Sequence, residues 1–239
     1  EEGGRGAGPA HALAFLGAVL VLVAALASPL HHLGEEHLFT AHMVQHILLG
    51  DVAPLLVLLS LSRVIMRPLT RRLRSVERTL GRLAHPAAFL AVWFGLVSLW
   101  HIPPLYVAAI EDPALHALEH ASFFAAGIAV WWPLIQPVPM RTRLTGLAPF
   151  AYIGAAKGGL AVLGLSLLWS NTAFYAPYTE APGAWGLSPV EDQNVGGALM
   201  MVEQSIVLVL VLAVLFVRML AQSEREQRRR ERLEDAATA

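Results

Sequence analysis

Cysteine is absent from the 239 residues, and lysine occurs once, at Lys157. The first absence excludes disulfides, thiolate metal sites and thiol redox chemistry, so a metal would have to be held by His, Met or carboxylate. Charge of either sign is scarce, at 15% of residues, while 56% are hydrophobic. That balance lies outside the soluble globular range and reads as an integral membrane protein. Alternating ten-residue apolar segments, the mark of a membrane barrel, are also missing; the apolar runs are long and unbroken. Membrane lipids are therefore the first expected partner, and nucleic acid is not expected as one.

A helix needs about 20 apolar residues to cross the hydrocarbon core. Six segments serve, at 10–28, 36–62, 86–102, 113–135, 147–170 and 192–219, with the third the shortest. The expected fold is an all-α polytopic transmembrane bundle over 1–221, followed by a basic tail at 222–239. The tail's arginine run suits anionic headgroups. The arginines gather after hydrophobic segments, at Arg63 to Arg82, at Arg141 and Arg143, and at Arg218 to Arg232. Short loops rich in Lys/Arg stay cytoplasmic, so these stretches and both ends of the chain are expected inside. The chain begins Glu1-Glu2 with no initiator Met and no signal-peptide pattern, and reads as part of a longer protein.

By the same count, His31, His32, His37, His42, His46, His101, His116 and His120 fall at or near the outer face. His42 and His46 are four apart in the second segment, and His116 and His120 repeat the device in the fourth. Residues at that spacing share a helical face. His46 is the deepest, about 16 Å from the start of its segment at ~1.5 Å per residue. His101 ends the third segment just before Pro103-Pro104. Neutral imidazole is the commonest protein metal ligand, and ionisable groups inside membrane helices are costly and usually functional. The pairs 42/46 and 116/120, with His101, are the expected metal ligands. Glu119, Asp192 and Met43 are expected around them, the two carboxylates orienting imidazole N–H groups. His31, His32 and His37 read as polar groups near headgroups. Imidazole suits Zn, Cu, Fe and Ni, and thioether favours Cu(I), so Met43 and Met200-Met201 tilt the choice towards a copper ion, with zinc the alternative.

A deeper set comprises Lys157, Asp51 and Glu203. A lone charge at that depth would cost at least about 3 kcal/mol, so an ion pair of Lys157 with Asp51 or Glu203 is expected. Gly158-Gly159, Gly164 and Ala155-Ala156 around it permit close helix approach. The loop from Asn171 to Glu191, rich in Pro, Tyr and Gly, reads equally as a lid or a connector.

Several motifs resemble the CtaG-type cytochrome c oxidase assembly factors. They are Ser28-Pro29-Leu30, then Thr40-Ala41-His42-Met43-Val44-Gln45-His46, then Val52-Ala53-Pro54. Leu99-Trp100-His101-Ile102-Pro103 with Tyr106 follows, then His116 to His120 before Trp131-Trp132-Pro133, and Asp192-Gln193 with Gly196-Gly197. The likeness spans about residues 10 to 220, and neither Asp51 nor Glu203 belongs to it. It implies a multi-pass bacterial plasma membrane protein that matures a haem–copper oxidase of the aa type and handles copper on the outer side. It also implies one further helix before residue 10, seven in all, a cytochrome c oxidase subunit as client, and another copper chaperone as a candidate partner.

The expected function is thus a non-enzymatic assembly factor that holds copper at the histidines and passes it on. The alternative is an intramembrane zinc hydrolase, with three His ligands on zinc and Glu119 as general base. Bis-histidine haem ligation fits less well, because two histidines one turn apart on one helix suit a compact ion site. Transport through Lys157, Asp51 and Glu203 would call for discontinuous helices and inverted repeats, and neither is evident.

Overall fold

The computed structural model describes residues 8–62, 64–180 and 184–238, which are helical with no strand among them. Arg63, the residues at 181–183 within the expected lid and the Glu1-Glu2 start lie outside the described residues. Among the described residues, five helical stretches are long and apolar enough to cross a membrane. They are α1 (Pro9–Leu26), the rod Phe39–Ser60, α8 (Pro113–Ile135), α9 (Ala148–Leu168) and α11 (Pro189–Thr238). The rod consists of α3 (Phe39–Ile47), a π-helical turn (Leu48–Val52) and α4 (Ala53–Ser60).

The third expected span, the shortest, begins at a bend. Its helix, α6 (Pro86–Trp100), has 15 residues, about 22 Å at 1.5 Å per residue against a core of roughly 30 Å. It reaches spanning length only when joined to the preceding Arg67–Ala84 stretch, from which it bends by 73°. Proline sets both limits: Pro86 opens α6, and Pro103 opens the next helix, α7 (Pro103–Glu111). Before the bend, α5 (Arg67–Leu80) is amphipathic, with Leu69, Leu73, Val76 and Leu80 on one face and Arg67, Arg71, Arg74 and Arg78 on the other. Such a helix suits the plane of a membrane interface.

The segment between the first two spans is not a plain loop. It folds as α2 (Pro29–Glu36), with the Ser28 side chain accepting from Leu30 N at 3.1 Å and Pro29 in the first turn. The second span therefore starts at Phe39 rather than 36, so His46 lies about 10 Å into it at 1.5 Å per residue.

Backbones approach most closely at two glycine pairs. A Cβ on Gly127 of α8 would sit 2.1 Å from Gly50 O in the π turn, and a Cβ on Gly197 of α11 would sit 2.6 Å from Gly164 O of α9. Trp93, Trp100, Phe123, Trp131 and Leu160 fill the middle of the bundle. Phe39, Met43, Tyr106, Tyr175, Tyr178 and Met200 fill the end that carries the histidines. The last helix runs unbroken through the expected boundary at 221/222, and its tail is an exposed continuation with Arg228 and Glu224 3.9 Å apart.

Candidate metal centre

The His pairs of α3 and α8 face each other at one end of the bundle. The ring centroids of His42 and His116 are 5.3 Å apart and stacked, those of His42 and His120 are 6.0 Å apart, and those of His46 and His120 are 5.6 Å apart. Glu119 points into the same space, with Oε1 3.5 Å from His46 Nε2 and Oε2 4.0 Å from His116 Nε2. His42, His116, Glu119 and His120 each bring one ligand atom to within 4.8 Å of the others, and all four are buried.

The donor set fits a cation. Both Glu119 oxygens, His42 Nδ1, His46 Nδ1, His116 Nε2 and His120 Nε2 are buried without a hydrogen-bond partner. A buried carboxyl with no donor is either neutralised by a proton or balanced by a cation. A tetrahedral ion with ligands at about 2.1 Å sets its ligand atoms about 3.4 Å apart, a contraction within reach of side-chain torsions. His42 Nε2 and His46 Nε2 lie 2.7 Å apart, a hydrogen bond between the two rings that would have to open for both to bind one ion.

Tautomers follow from the fixed acceptors. Gln45 Nε2 donates to Ala25 O at 2.8 Å and lies 2.8 Å from His31 Nδ1, so that nitrogen accepts. His31 Nε2 then donates towards Glu35 Oε1, 3.3 Å away, and His116 Nδ1 donates to the same oxygen at 2.7 Å. In neutral His116 the lone pair is therefore on Nε2, facing the cluster. A carboxylate that orients a ligating imidazole in this way tunes the site. Glu35, with His31 beside it, stands where such a partner would stand, whereas the sequence points to Glu119 and Asp192 for that role and to headgroups for His31. The detectable signal was the His31–Glu35 spacing behind a Ser-Pro helix start. His32 and His37 remain on the outside, where with Glu36 they form a small exposed group.

The other expected residues are placed as follows. Asp192 touches no imidazole; its carboxylate accepts from Phe39 N at 2.6 Å and Thr40 N at 3.0 Å, capping the start of α3. Met43 is buried one residue from His42, in the aromatic cluster. His101 lies beside His46, centroids 5.9 Å apart, but is not one of the four converging residues. Its Nδ1 donates to Val97 O at 2.8 Å, which leaves Nε2 buried and unpartnered.

The loop between α9 and α11 closes this end. Tyr178, in the short helix α10 (Ala176–Glu180), donates to Gly34 O at 2.7 Å, and Tyr175 donates to His101 O at 3.1 Å. Burial raises both phenol pKa values well above the ordinary one, so both stay neutral donors. A cavity of about 530 Å³ reaches the cluster from the side, between Leu22 and Leu26 of α1 and Ala117 and Phe124 of α8, with His31, Glu35, His116 and His120 at its polar end.

Deeper in the bundle, Lys157 pairs with Asp51, and Glu203 Oε1 lies 3.9 Å from the same ammonium. Trp131 Nε1 donates to the other Asp51 oxygen at 2.9 Å, and its ring lies 5.1 Å from Lys157 Nζ. The π turn delivers Asp51 to this set.

Fold and site together define a polytopic helical membrane protein with a buried histidine–carboxylate cluster under a tyrosine-bearing loop. The chain belongs to the cytochrome c oxidase caa3 assembly factor (Caa3_CtaG) family, which it matches over residues 2–222. It is also similar to an uncharacterized protein of Mycobacterium leprae, 22% identical over 223 residues, covering 84% of this chain and 33% of the relative. The chain thus spans about a third of the length of that relative. No solved structure matches it.

Proposed function

We propose that this protein is a non-enzymatic factor that holds a copper ion among His42, His116, His120 and Glu119, with His46 adjoining, and passes it to a cytochrome c oxidase subunit during assembly. One observation carries the reading: four buried side chains bring ligand atoms to within 4.8 Å of one another, with unpartnered imidazole nitrogens and a bare carboxylate among them. Family membership supplies the oxidase. The cluster lies at the end of the bundle opposite the arginine clusters, which by the positive-inside rule supports a position on the outer side of a bacterial plasma membrane. A copper chaperone on that side would be the donor. Purified protein is expected to take up copper, and the His42→Ala/His116→Ala variant is expected to lose it. Wild-type copper content in that variant would overturn the proposal.

The lateral cavity favours one second reading. Three histidines and Glu119 beside a cavity lined by apolar side chains could hold a hydrolytic zinc. Hydrolysis of a lipid amide or ester by the zinc-loaded protein would select it.

A further inference from the structure

Below the four-residue group lies a second, much smaller cavity of about 30 Å³. Its lining includes Met43, His46, His101, Met200, Asp51 and Gln204. Its size suits one water or one ion. Both methionines are buried, and two of the surrounding imidazoles have a nitrogen to spare. His101 commits Nδ1 to Val97 O and keeps Nε2 unpartnered. His46 turns Nε2 towards His42 and Glu119, and its Nδ1 has no partner.

We infer that this cavity is a second, softer cation site, in which the thioethers of Met43 and Met200 and the imidazoles of His46 and His101 hold a monovalent ion of the Cu(I) class. The inference deepens the copper reading above and rests on it for the identity of the cargo. Two physical arguments support it. Thioether ligands select Cu(I), and both buried methionines line the lower cavity while the upper group has none. Charge agrees as well. Asp51 lines the base of the cavity and belongs to a set of two carboxylates and one lysine. A carboxylate at that edge favours a cation over an anion in the cavity. His46 borders both groups, so an ion could pass between them by exchanging ligands at a single ring.

The test uses detergent-purified full chain titrated with Cu(I), and with Ag(I) as a surrogate that does not change oxidation state. Bound metal is counted after desalting, and the copper-loaded protein is examined by X-ray absorption. Wild type is expected to hold two ions per chain and to show a Cu–S contribution. Met43→Leu/Met200→Leu, nearly volume-conserving, is expected to hold one ion and to lose that contribution. His101→Gln, which leaves both thioethers in place, is expected to weaken the same ion at least tenfold. A wild-type spectrum free of sulfur, or a double-leucine variant with unchanged stoichiometry, would overturn the inference. His116→Ala/Glu119→Gln separates it from the reading on which it rests. If the upper site alone is misassigned, this variant keeps every ion that wild type binds, the sulfur-bound one included. Loss of the sulfur-bound ion from this variant while it stays folded would overturn the second site as an independent one.

Discussion

His116 Nδ1 lies 2.7 Å from Glu35 Oε1, so a short helix between the first two spans sets the tautomer of a histidine in another span. Glu35 is partly exposed and can be changed without opening the core. Removing an outer partner of a ligating histidine typically costs about 10–100-fold in metal affinity. Glu35→Gln is accordingly expected to weaken copper binding within that range and leave the thermal midpoint nearly unchanged, as read by chelator competition and melting of the same sample. Affinity equal to wild type would show that His116 is oriented by something else.

The ion set around Lys157 predicts an asymmetry. Lys157→Met would leave Asp51 and Glu203 facing each other without a cation, and breaking a buried pair in this way costs about 3–5 kcal/mol. Asp51→Asn is expected to cost less, because Glu203 stays 3.9 Å from the ammonium. The double variant Asp51→Asn/Lys157→Met should recover part of the loss. Thermal unfolding of the four proteins in one detergent measures the cycle, and equal midpoints throughout would mean that the pair does not lock the bundle.

Helix crossing at the π turn gives a steric prediction. A Cβ on Gly127 meets Gly50 O at 2.1 Å and Pro54 Cγ at 2.6 Å, and neither is the flexible end of a side chain. Gly127→Ala must push α8 away from the rod, at about 3 kcal/mol, the upper part of the usual overpacking range. Gly158→Ala, whose Cβ meets nothing within 4 Å, should be close to neutral. A comparison of their melting midpoints checks both.

Much of this arrangement was legible in sequence, for a physical reason. The i,i+4 His pairs at 42/46 and 116/120 are local features of long helices, and local periodicity survives folding. Lys157 was also predictable, since a lone cation in an apolar helix requires a carboxylate. What escaped was non-local or short. α2 has eight residues, too few for a periodic signal, so the sequence puts His31 near headgroups and does not single out Glu35. A carboxylate near histidines invites assignment to an imidazole, yet the N–H groups that open α3 are the donors Asp192 reaches. The separation of His101 from the four converging residues depends on where α6 ends, which sequence placed two residues later than the structure does.

Orientation rests on arginine placement, and the missing cysteines make it directly testable. With no thiol in the chain, a single introduced cysteine reports alone. Asn171 lies exposed at the start of the loop between α9 and α11, and Ser223 lies exposed beyond the apolar part of the last helix. Short basic loops stay inside, and the membrane blocks a charged maleimide. Asn171→Cys should therefore be labelled in intact cells, and Ser223→Cys only after the membrane is opened. The opposite result would put the histidine cluster in the cytoplasm, where a copper donor on the far side could not reach it.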